Sequence, residues 1–369
     1  MKIISIESFH NEYVGLVRVC TDQGDEGWGQ VAPYNADITV QILHRQVAMH
    51  VLGLDAENIE AVTQTVLDRE HKFQGTYLYR ALAGVDTALW DIRGKRAGKS
   101  VNRLLGGTVD SFPVYASSMQ REITPEAEAE RLLALKEQYG YQSFKCRIAR
   151  ECGHDRDQWP GRTEAMVMTL RKVLGDDVNL LVDANSGYTP AKAIAIGHML
   201  ADYGVSHFEE PCPYWELAWT RQVSQALKID VAGGEQDNNL IVWQQMIDSR
   251  AVDIVQPDIC YMGGITRTLQ VVKMAKAAGI PCTLHSANLS LVTLFSIHLM
   301  AATENAGKYV EFSIESPDYY PWQDHIFTPG YEIVNGAVML SDKPGWGIEI
   351  NPAWLACANY QVSFHGSRF

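Results

Sequence analysis

The spacing of apolar positions changes part-way along the chain and divides it. Tyr13-Val14-Gly15-Leu16-Val17-Arg18-Val19 alternates as a strand does, a turn follows from Thr21 to Asp25, and Glu26-Gly27-Trp28-Gly29 reads as a second short strand. From Ile38 to Arg103 the pattern is mostly helical, and Gly106-Gly107 after Leu104-Leu105 stops it. After Val114 the texture is different: short β-branched runs alternate with helical stretches. The runs are Val114–Ala116, Ser143–Lys145, Leu180–Asp183, His207–Glu209, Asp230–Ala232, Asp253–Val255, Cys282–His285 and Tyr309–Glu311. Thr124-Pro125 and Thr189-Pro190 each supply an N-cap followed by proline in the first turn, and Tyr139-Gly140 and Tyr203-Gly204 end the same two helices.

Eight strands separated by helices predict an α/β fold in which the sheet closes as a parallel (β/α)-barrel, preceded by an α+β domain. The expected division is a capping domain over 1–112, a barrel over 113–330 and a C-terminal return over 331–369. That return has its own strands, Glu332-Ile333-Val334 and Ile348-Glu349-Ile350, and is expected to fold back on the first domain. An open doubly wound sheet would carry a Gly-rich turn after its first strand, and none is present. Gly98-Lys99-Ser100 resembles the end of a phosphate loop, but Arg93 stands where that motif needs glycine.

The acids are placed with the same period as the strands. Asp183, Glu209 and Glu235 each follow an apolar run, and each is 26 residues from the last, one βα unit. In a parallel barrel this puts three carboxylates on adjacent strands at one rim. Such a group repels itself and takes up protons unless a cation lies among its members. Oxygen-only ligands on a rigid frame suit Mg²⁺. A strand-end acid can equally be the N-cap of the next helix, but three in register are poorly explained that way. Lys145 and Arg147 alternate on one strand, so both point into the barrel mouth. Asp258 lies 23 residues beyond Glu235, and His285 a further 27 on, which predicts a carboxylate beside a histidine. That pairing fixes the imidazole tautomer and raises its pKa, as a general base requires. Glu311 closes the ring on the last strand.

Composition narrows the partners. A net charge of −13 over 369 residues lacks the basic footprint of a nucleic-acid binder. The seven cysteines are odd in number and scattered, which predicts reduced thiols rather than a disulfide framework. The start of the chain has no signal-peptide pattern, and Leu289–Ala302 is too short and polar to span a bilayer. The expectation is a cytoplasmic protein acting on a small-molecule carboxylate, without nucleic-acid or membrane partners.

The ordered motifs resemble the enolase superfamily, specifically the mandelate racemase subgroup. They run from Gly27-Trp28-Gly29 through Ala88-Leu89-Trp90-Asp91-Ile92-Arg93-Gly94-Lys95 and Leu104-Leu105-Gly106-Gly107. In the barrel come Val182-Asp183-Ala184-Asn185, Glu209-Glu210-Pro211, Gly234-Glu235, Pro257-Asp258, Gly263-Gly264 and His285, then Pro344-Gly345-Trp346-Gly347. The resemblance implies a modified TIM (β/α)-barrel with an N-terminal α+β capping domain, and a symmetric homo-oligomer. It implies Mg²⁺ on Asp183, Glu209 and Glu235, a His285–Asp258 dyad, and removal of the proton α to a carboxylate to give an enediolate. It also implies that Glu311 hydrogen-bonds the substrate carboxylate and that Glu210 has a structural role.

Two departures from the family shape the expected reaction. Asp258 stands where the enolase and muconate-lactonising branches carry lysine, against those chemistries. The racemase pattern Lys-x-Lys here becomes Lys145-Cys146-Arg147, and a guanidinium is a poor base but a good bidentate partner for oxygen. Asn185 stands where some relatives carry a second histidine. With His285 the one competent base, the expected reaction is dehydration of an aldonate or aldarate to a 2-keto-3-deoxy acid. Lys145 as a second base would instead give a racemase or epimerase of a 2-hydroxy or amino acid. A ligand-binding barrel without catalysis is the remaining class. Substrate choice is expected to lie in loops near Gly24 and Tyr34 and in the segment 150–162.

Overall fold

The computed structural model describes residues 1–323 and 325–366, so the last three residues of the expected return lie outside the described residues. The first sheet is antiparallel and contains a strand the sequence pattern missed, β1 (Ile3–His10), beside β2 (Gly15–Thr21) and β3 (Glu26–Val31). The helical stretch that follows is broken into α1 (Ala36–Ile42), α2 (Ala48–Val51), α3 (Ile59–Arg69), α4 (Thr76–Ala97) and α5 (Val101–Leu104).

Helix α4 packs directly on this sheet, and the motif Gly27-Trp28-Gly29 explains how. A Cβ at Gly27 would lie 2.2 Å from the Ala88 carbonyl, and one at Gly29 2.3 Å from that of Gly84. Only glycine lets the strand backbone come so close to the helix.

The second sheet is built from βα units. They are β4 (Ser111–Ser117), α6 (Pro125–Tyr139), β5 (Ser143–Arg147), α7 (Arg162–Leu174), β6 (Asn179–Asp183), α8 (Pro190–Asp202) and β7 (Val205–Glu209). There follow α9 (Leu217–Ala226), β8 (Asp230–Gly233), α10 (Leu240–Asp248), β9 (Ile254–Val255), α11 (Ile259–Met262), α12 (Ile265–Ala277), α13 (Leu291–Met300) and β10 (Val310–Ser313). Strands β4 to β9 pair in parallel in chain order, and β10 returns to pair in parallel with β4.

The expected strand at Cys282–His285 is not a strand here. The ladder continues past β9 as two bridges, Val255 with Cys282 and Cys282 with Ala306. The seam beyond is held by side chains, the Ser286 hydroxyl donating to the Glu311 carbonyl at 2.9 Å. The fold is therefore a modified (β/α)-barrel under an α+β cap, with an irregular seam at the position of His285.

The C-terminal segment serves both parts. Of its strands β11 (Phe327–Thr328), β12 (Ile333–Val334), β13 (Ala337–Met339) and β14 (Glu349–Ile350), β13 pairs antiparallel with β4 of the barrel. After α14 (Pro352–Cys357), β15 (Asn359–Phe364) pairs antiparallel with β1. Trp346 locks the junction: its indole N–H donates to the Trp28 and Thr87 carbonyls, both at 3.1 Å. Asp91 on α4 accepts from the Trp28 and Trp346 amides at 2.9 Å each and pairs with Lys95 at 2.7 Å. Cap and barrel meet again where Asp86 on α4 accepts from the Thr266 amide in the first turn of α12. A Cβ on Gly264, whose φ is +111°, would stand 2.2 Å from the Asp86 carboxylate, so the Gly263-Gly264 turn permits that contact.

All seven cysteines are free thiols. Among the described residues no helix is long and apolar enough to cross a membrane.

Helix α13 is buried throughout, and His298 on it accepts from the Asn102 amide at 3.1 Å. Burial lowers its pKa from 6.5 to about 4. As pH falls below 6.5 the unfolded chain takes up a proton that the folded one refuses, so stability is lost progressively between pH 6.5 and 4. The expected loss from this residue is about 3 kcal/mol. Denaturant unfolding of His298→Asn should take up about one proton fewer across that window, measured as a shallower slope of stability against pH.

Candidate active site

The strand register brings the chemistry together. Pairing places Arg147 opposite Asp183 on β5 and β6, and Asp183 opposite Glu209 on β6 and β7. Glu235 follows β8 by two residues. Lys145, Asp183, Glu209 and Glu311 are all 0% exposed, so four charged groups share one dry interior.

Lys145 Nζ is the hub of that group. It lies 2.9 and 2.8 Å from the two Glu209 oxygens, 2.7 Å from Glu311 Oε1 and 3.9 Å from Asp183 Oδ2. Arg147 pairs with Asp183, and donates to Asn185 Oδ1 at 2.9 Å and the Ser118 carbonyl at 3.2 Å. The acids are further fixed by neutral donors: Gln256 Nε2 to Glu209 at 3.0 Å, and the Ser117 hydroxyl and Ser286 amide to Glu311 at 2.8 and 2.9 Å.

On the other side of the mouth, His285 Nδ1 is 2.9 Å from Asp258 Oδ2, and its Nε2 is 3.2 Å from Glu235 Oε2. Asp258 is held by its second oxygen, which accepts from the Tyr261 amide at 2.9 Å and caps α11. The His285 amide donates to the Pro257 carbonyl at 3.2 Å, so backbone contact fixes the separation of the pair although His285 lies in the irregular seam.

Burial and charge act against each other throughout. Burial disfavours the charged form of Lys145, but Glu209 and Glu311 more than offset it and hold the ammonium above its ordinary range. Burial likewise opposes protonation of His285, yet Glu235, Asp258 and Glu311 raise its pKa to about 10. Burial also works against ionisation of Glu311, whose pKa Lys145 and His285 bring down to about 2. Glu235 and Glu210 go the other way: burial drives both up, helped for Glu210 by the neighbouring Glu235 and Glu209. Glu210 has a φ of +40° and makes no ion pair among the described residues, which leaves its Oε1 buried without a hydrogen bond.

The carboxylates fit a hard divalent cation by donor type, by register, and by two buried oxygens, Asp183 Oδ2 and Glu235 Oε2, that face the cations Arg147 and His285 without a well-aligned hydrogen bond. As they stand, no three His, Cys, Asp or Glu side chains among the described residues are gathered closely enough to hold a metal. Lys145 and Arg147 lie among them and draw Asp183, Glu209 and Glu311 toward themselves.

The eight side chains singled out in the sequence thus meet at one mouth. Gln256, Ser117 and Ser286 were missed, although Gln256 directly precedes the Pro257-Asp258 pair. Arg121 was also missed, since it lies in a loop without periodicity. Of the expected specificity loops, the Tyr34 region roofs the barrel: Trp322 stacks on Tyr13 at 5.8 Å and meets Tyr34 edge-on at 5.5 Å.

Residues 127–354 match the profile of the enolase C-terminal domain-like family, and residues 2–106 match the mandelate racemase / muconate lactonizing enzyme N-terminal domain. The chain belongs to the enolase superfamily, in its mandelate racemase subgroup. It is similar to D-galactarolactone cycloisomerase of Agrobacterium fabrum, 30% identical over 91% of this chain and 88% of that protein. It is also similar to arabinonate dehydratase of Saccharolobus solfataricus, 29% identical over 92% and 89%. A crystal structure from Roseobacter denitrificans, provisionally assigned as a racemase, superposes with a TM-score of 0.97 at 60% identity, covering 99% of this chain and 100% of that one. A mandelate racemase/muconate lactonizing protein from Paracoccus denitrificans, complexed with magnesium, superposes with a TM-score of 0.89 at 27% identity, over 99% and 98%.

Because Lys145 neutralises two buried acids, Lys145→Met should leave them unpaired and destabilise the fold by roughly 3–5 kcal/mol. Adding Glu311→Gln should recover part of that loss in denaturant unfolding, whereas additive losses would show that Lys145 does not hold Glu311.

Proposed function

We propose that this enzyme dehydrates a sugar acid, with His285 removing the proton α to the carboxylate and returning it to the departing β-hydroxyl. The observation that carries the reading is an asymmetry of bases across the mouth. Glu235, Asp258 and Glu311 hold a proton on His285, as buried carboxylates do on Lys145 and Arg147. An imidazole is a far weaker base than an amine or a guanidine, so positive charge placed among those acids frees His285 first, already oriented by Asp258. One competent base suits an elimination, in which the same group serves first as base and then as acid. Two-sided racemisation requires a second base, which here would have to be Lys145 without its proton.

In this reading Asp183, Glu209 and Glu235 hold Mg²⁺. When bound, the ion supplies positive charge to the substrate carboxylate and offsets the acids that now keep a proton on His285. The protein's own groups do the rest. Asp258 fixes the imidazole so that Nε2 faces the mouth. Lys145 and Arg147 face the charge that develops on the carboxylate oxygens as the α-proton leaves, and their preformed placement lowers the barrier without reorganisation. The Cβ–O bond then breaks, the hydroxyl leaves as water with the proton from His285, and the enol tautomerises to a 2-keto-3-deoxy acid. Glu311, ionised and fixed by Ser117 and Ser286, orients Lys145. Burial of the whole group excludes water from the intermediate. The names of relatives support this class: arabinonate dehydratase, and D-galactonate dehydratase family members of Paenibacillus and Pantoea ananatis at 28% identity.

The test is incubation with Mg²⁺ and a panel of aldonic and aldaric acids in D₂O. Keto-acid formation that stops on chelation, and is lost in His285→Asn while Mg²⁺ still binds, is the expected result. Deuterium at the α-carbon without elimination would replace the dehydratase by an epimerase. Full turnover by His285→Asn would remove His285 from the mechanism, and inertness toward the whole panel would favour a binding protein.

A further inference from the structure

One cation at the mouth is left without a role by this chemistry. Arg121, in the loop after β4, donates from Nη1 to the carbonyls of Ile148 and Ala149 at 2.8 and 3.1 Å, and from Nη2 to Asn185 Oδ1. Arg147 donates to that same amide oxygen at 2.9 Å. Two guanidiniums therefore converge on a single neutral acceptor. Arg147 has Asp183 as a counter-ion, but among the described residues no carboxylate lies within ion-pair distance of Arg121.

Such an arrangement is unfavourable unless an anion joins it. Burial, with the repulsion of Arg147, brings the Arg121 pKa down to about 10 against the opposing pull of Glu151. The group still carries its charge at neutral pH, half-buried beside a like charge. The planar fork of a guanidinium matches a carboxylate in two-point contact. Phenols line the same region: the Tyr319 hydroxyl donates to the Met119 carbonyl at 3.2 Å, and Arg147 Nη2 reaches Met119 Sδ at 2.7 Å. Arg121 ends a chain of contacts that runs Lys145, Asp183, Arg147, Asn185, Arg121, and it pairs with none of the acids around Lys145. An anion held by Arg121 would therefore be a different group from a carboxylate engaged beside Lys145 and those acids.

We infer that Arg121, backed by Arg147 and Asn185, binds a second, distal carboxylate, so that the substrates are sugar diacids (aldarates) rather than monoacids. This rests on the reading that the enzyme acts at the α-carbon of a sugar acid, and it adds which class of sugar acid is used. Asn185 and Arg147 hold the fork in place, and Arg121 sets the specificity.

The experiment compares stereochemically matched aldarate and aldonate pairs, which differ only in the terminal group. Calorimetric binding to full-length His285→Asn with Mg²⁺ reports recognition without turnover, and wild-type kinetics report KM and kcat separately. At least tenfold tighter binding of one diacid than of its monoacid is expected. Arg121→Gln should abolish that preference and raise KM for the diacid tenfold or more with kcat little changed, while Arg121→Lys restores part of it. Dehydration of aldonates with no diacid preference would overturn the inference and leave the proposed function standing. Epimerisation of a diacid, still dependent on Arg121, would do the reverse. Equal weakening of both members of a pair by Arg121→Gln would reduce Arg121 to a scaffold for the 148–149 carbonyls and overturn it. Preference for a terminally phosphorylated aldonate, or binding of no acid of either class, would overturn it as well.

Discussion

Like charges crowded into a dry space dominate this molecule. Parallel strands with a common repeat bring Asp183, Glu209, Glu235 and Glu311 to one rim, and burial removes the water that would otherwise screen them. The structure answers with Lys145 among three of the acids, Arg147 against Asp183, and His285 between Asp258 and Glu235. A second layer of uncharged donors, Gln256, Ser117 and Ser286, fixes the acids' orientation. A mouth organised in this way is suited to stabilising charge that appears on a substrate, because the dipoles and cations are already in place.

That electrostatic balance requires a closed cover, and the cap supplies it through contacts that only close packing allows. Glycines at 27 and 29 let β3 lie on the backbone of α4, while Asp86 and Asp91 of that helix reach into barrel and C-terminal segment respectively. Trp346 ties β3, α4 and the C-terminal segment together at one point. The family's cap motifs are thus load paths between parts of the fold. The buried charges lie elsewhere, at the strand ends, where the βα loops of a barrel converge.

The irregular seam is where the barrel departs from regular repetition, and it is also where His285 is carried. A histidine on a hydrogen-bonded strand would have its position set by the ladder. Here the amide contact to Pro257 and the side-chain contact to Asp258 set it instead. The neighbouring βα loops hold several non-glycine residues with positive φ, among them Ala149, Asn185, Ser186 and Glu210. Such conformations persist only where surrounding contacts over-determine them, and these are tied by a run of backbone bonds from Cys152 to Asn185 and from Ser186 to Glu210.

What the amino-acid order determined by itself is what depends on period. Strand alternation turned Lys145 and Arg147 to one side, and the spacing of 26 residues between Asp183, Glu209 and Glu235 placed them on consecutive strands. Repetition in the chain becomes repetition in space once the strands are parallel, so the rim and most of its acids were legible. What had no period was invisible. Strand β1 and its edge partner β15 are joined from opposite ends of the chain, the 282–285 run reads as a strand but pairs only at Cys282, and β13 joins the barrel rather than the cap. Only the folded structure could show that Arg121 shares the amide oxygen of Asn185 with Arg147, since that meeting depends on how two loops pack. Local sequence sets which face a residue takes within its own element; which charges end up as neighbours is decided by the packing of elements distant along the chain.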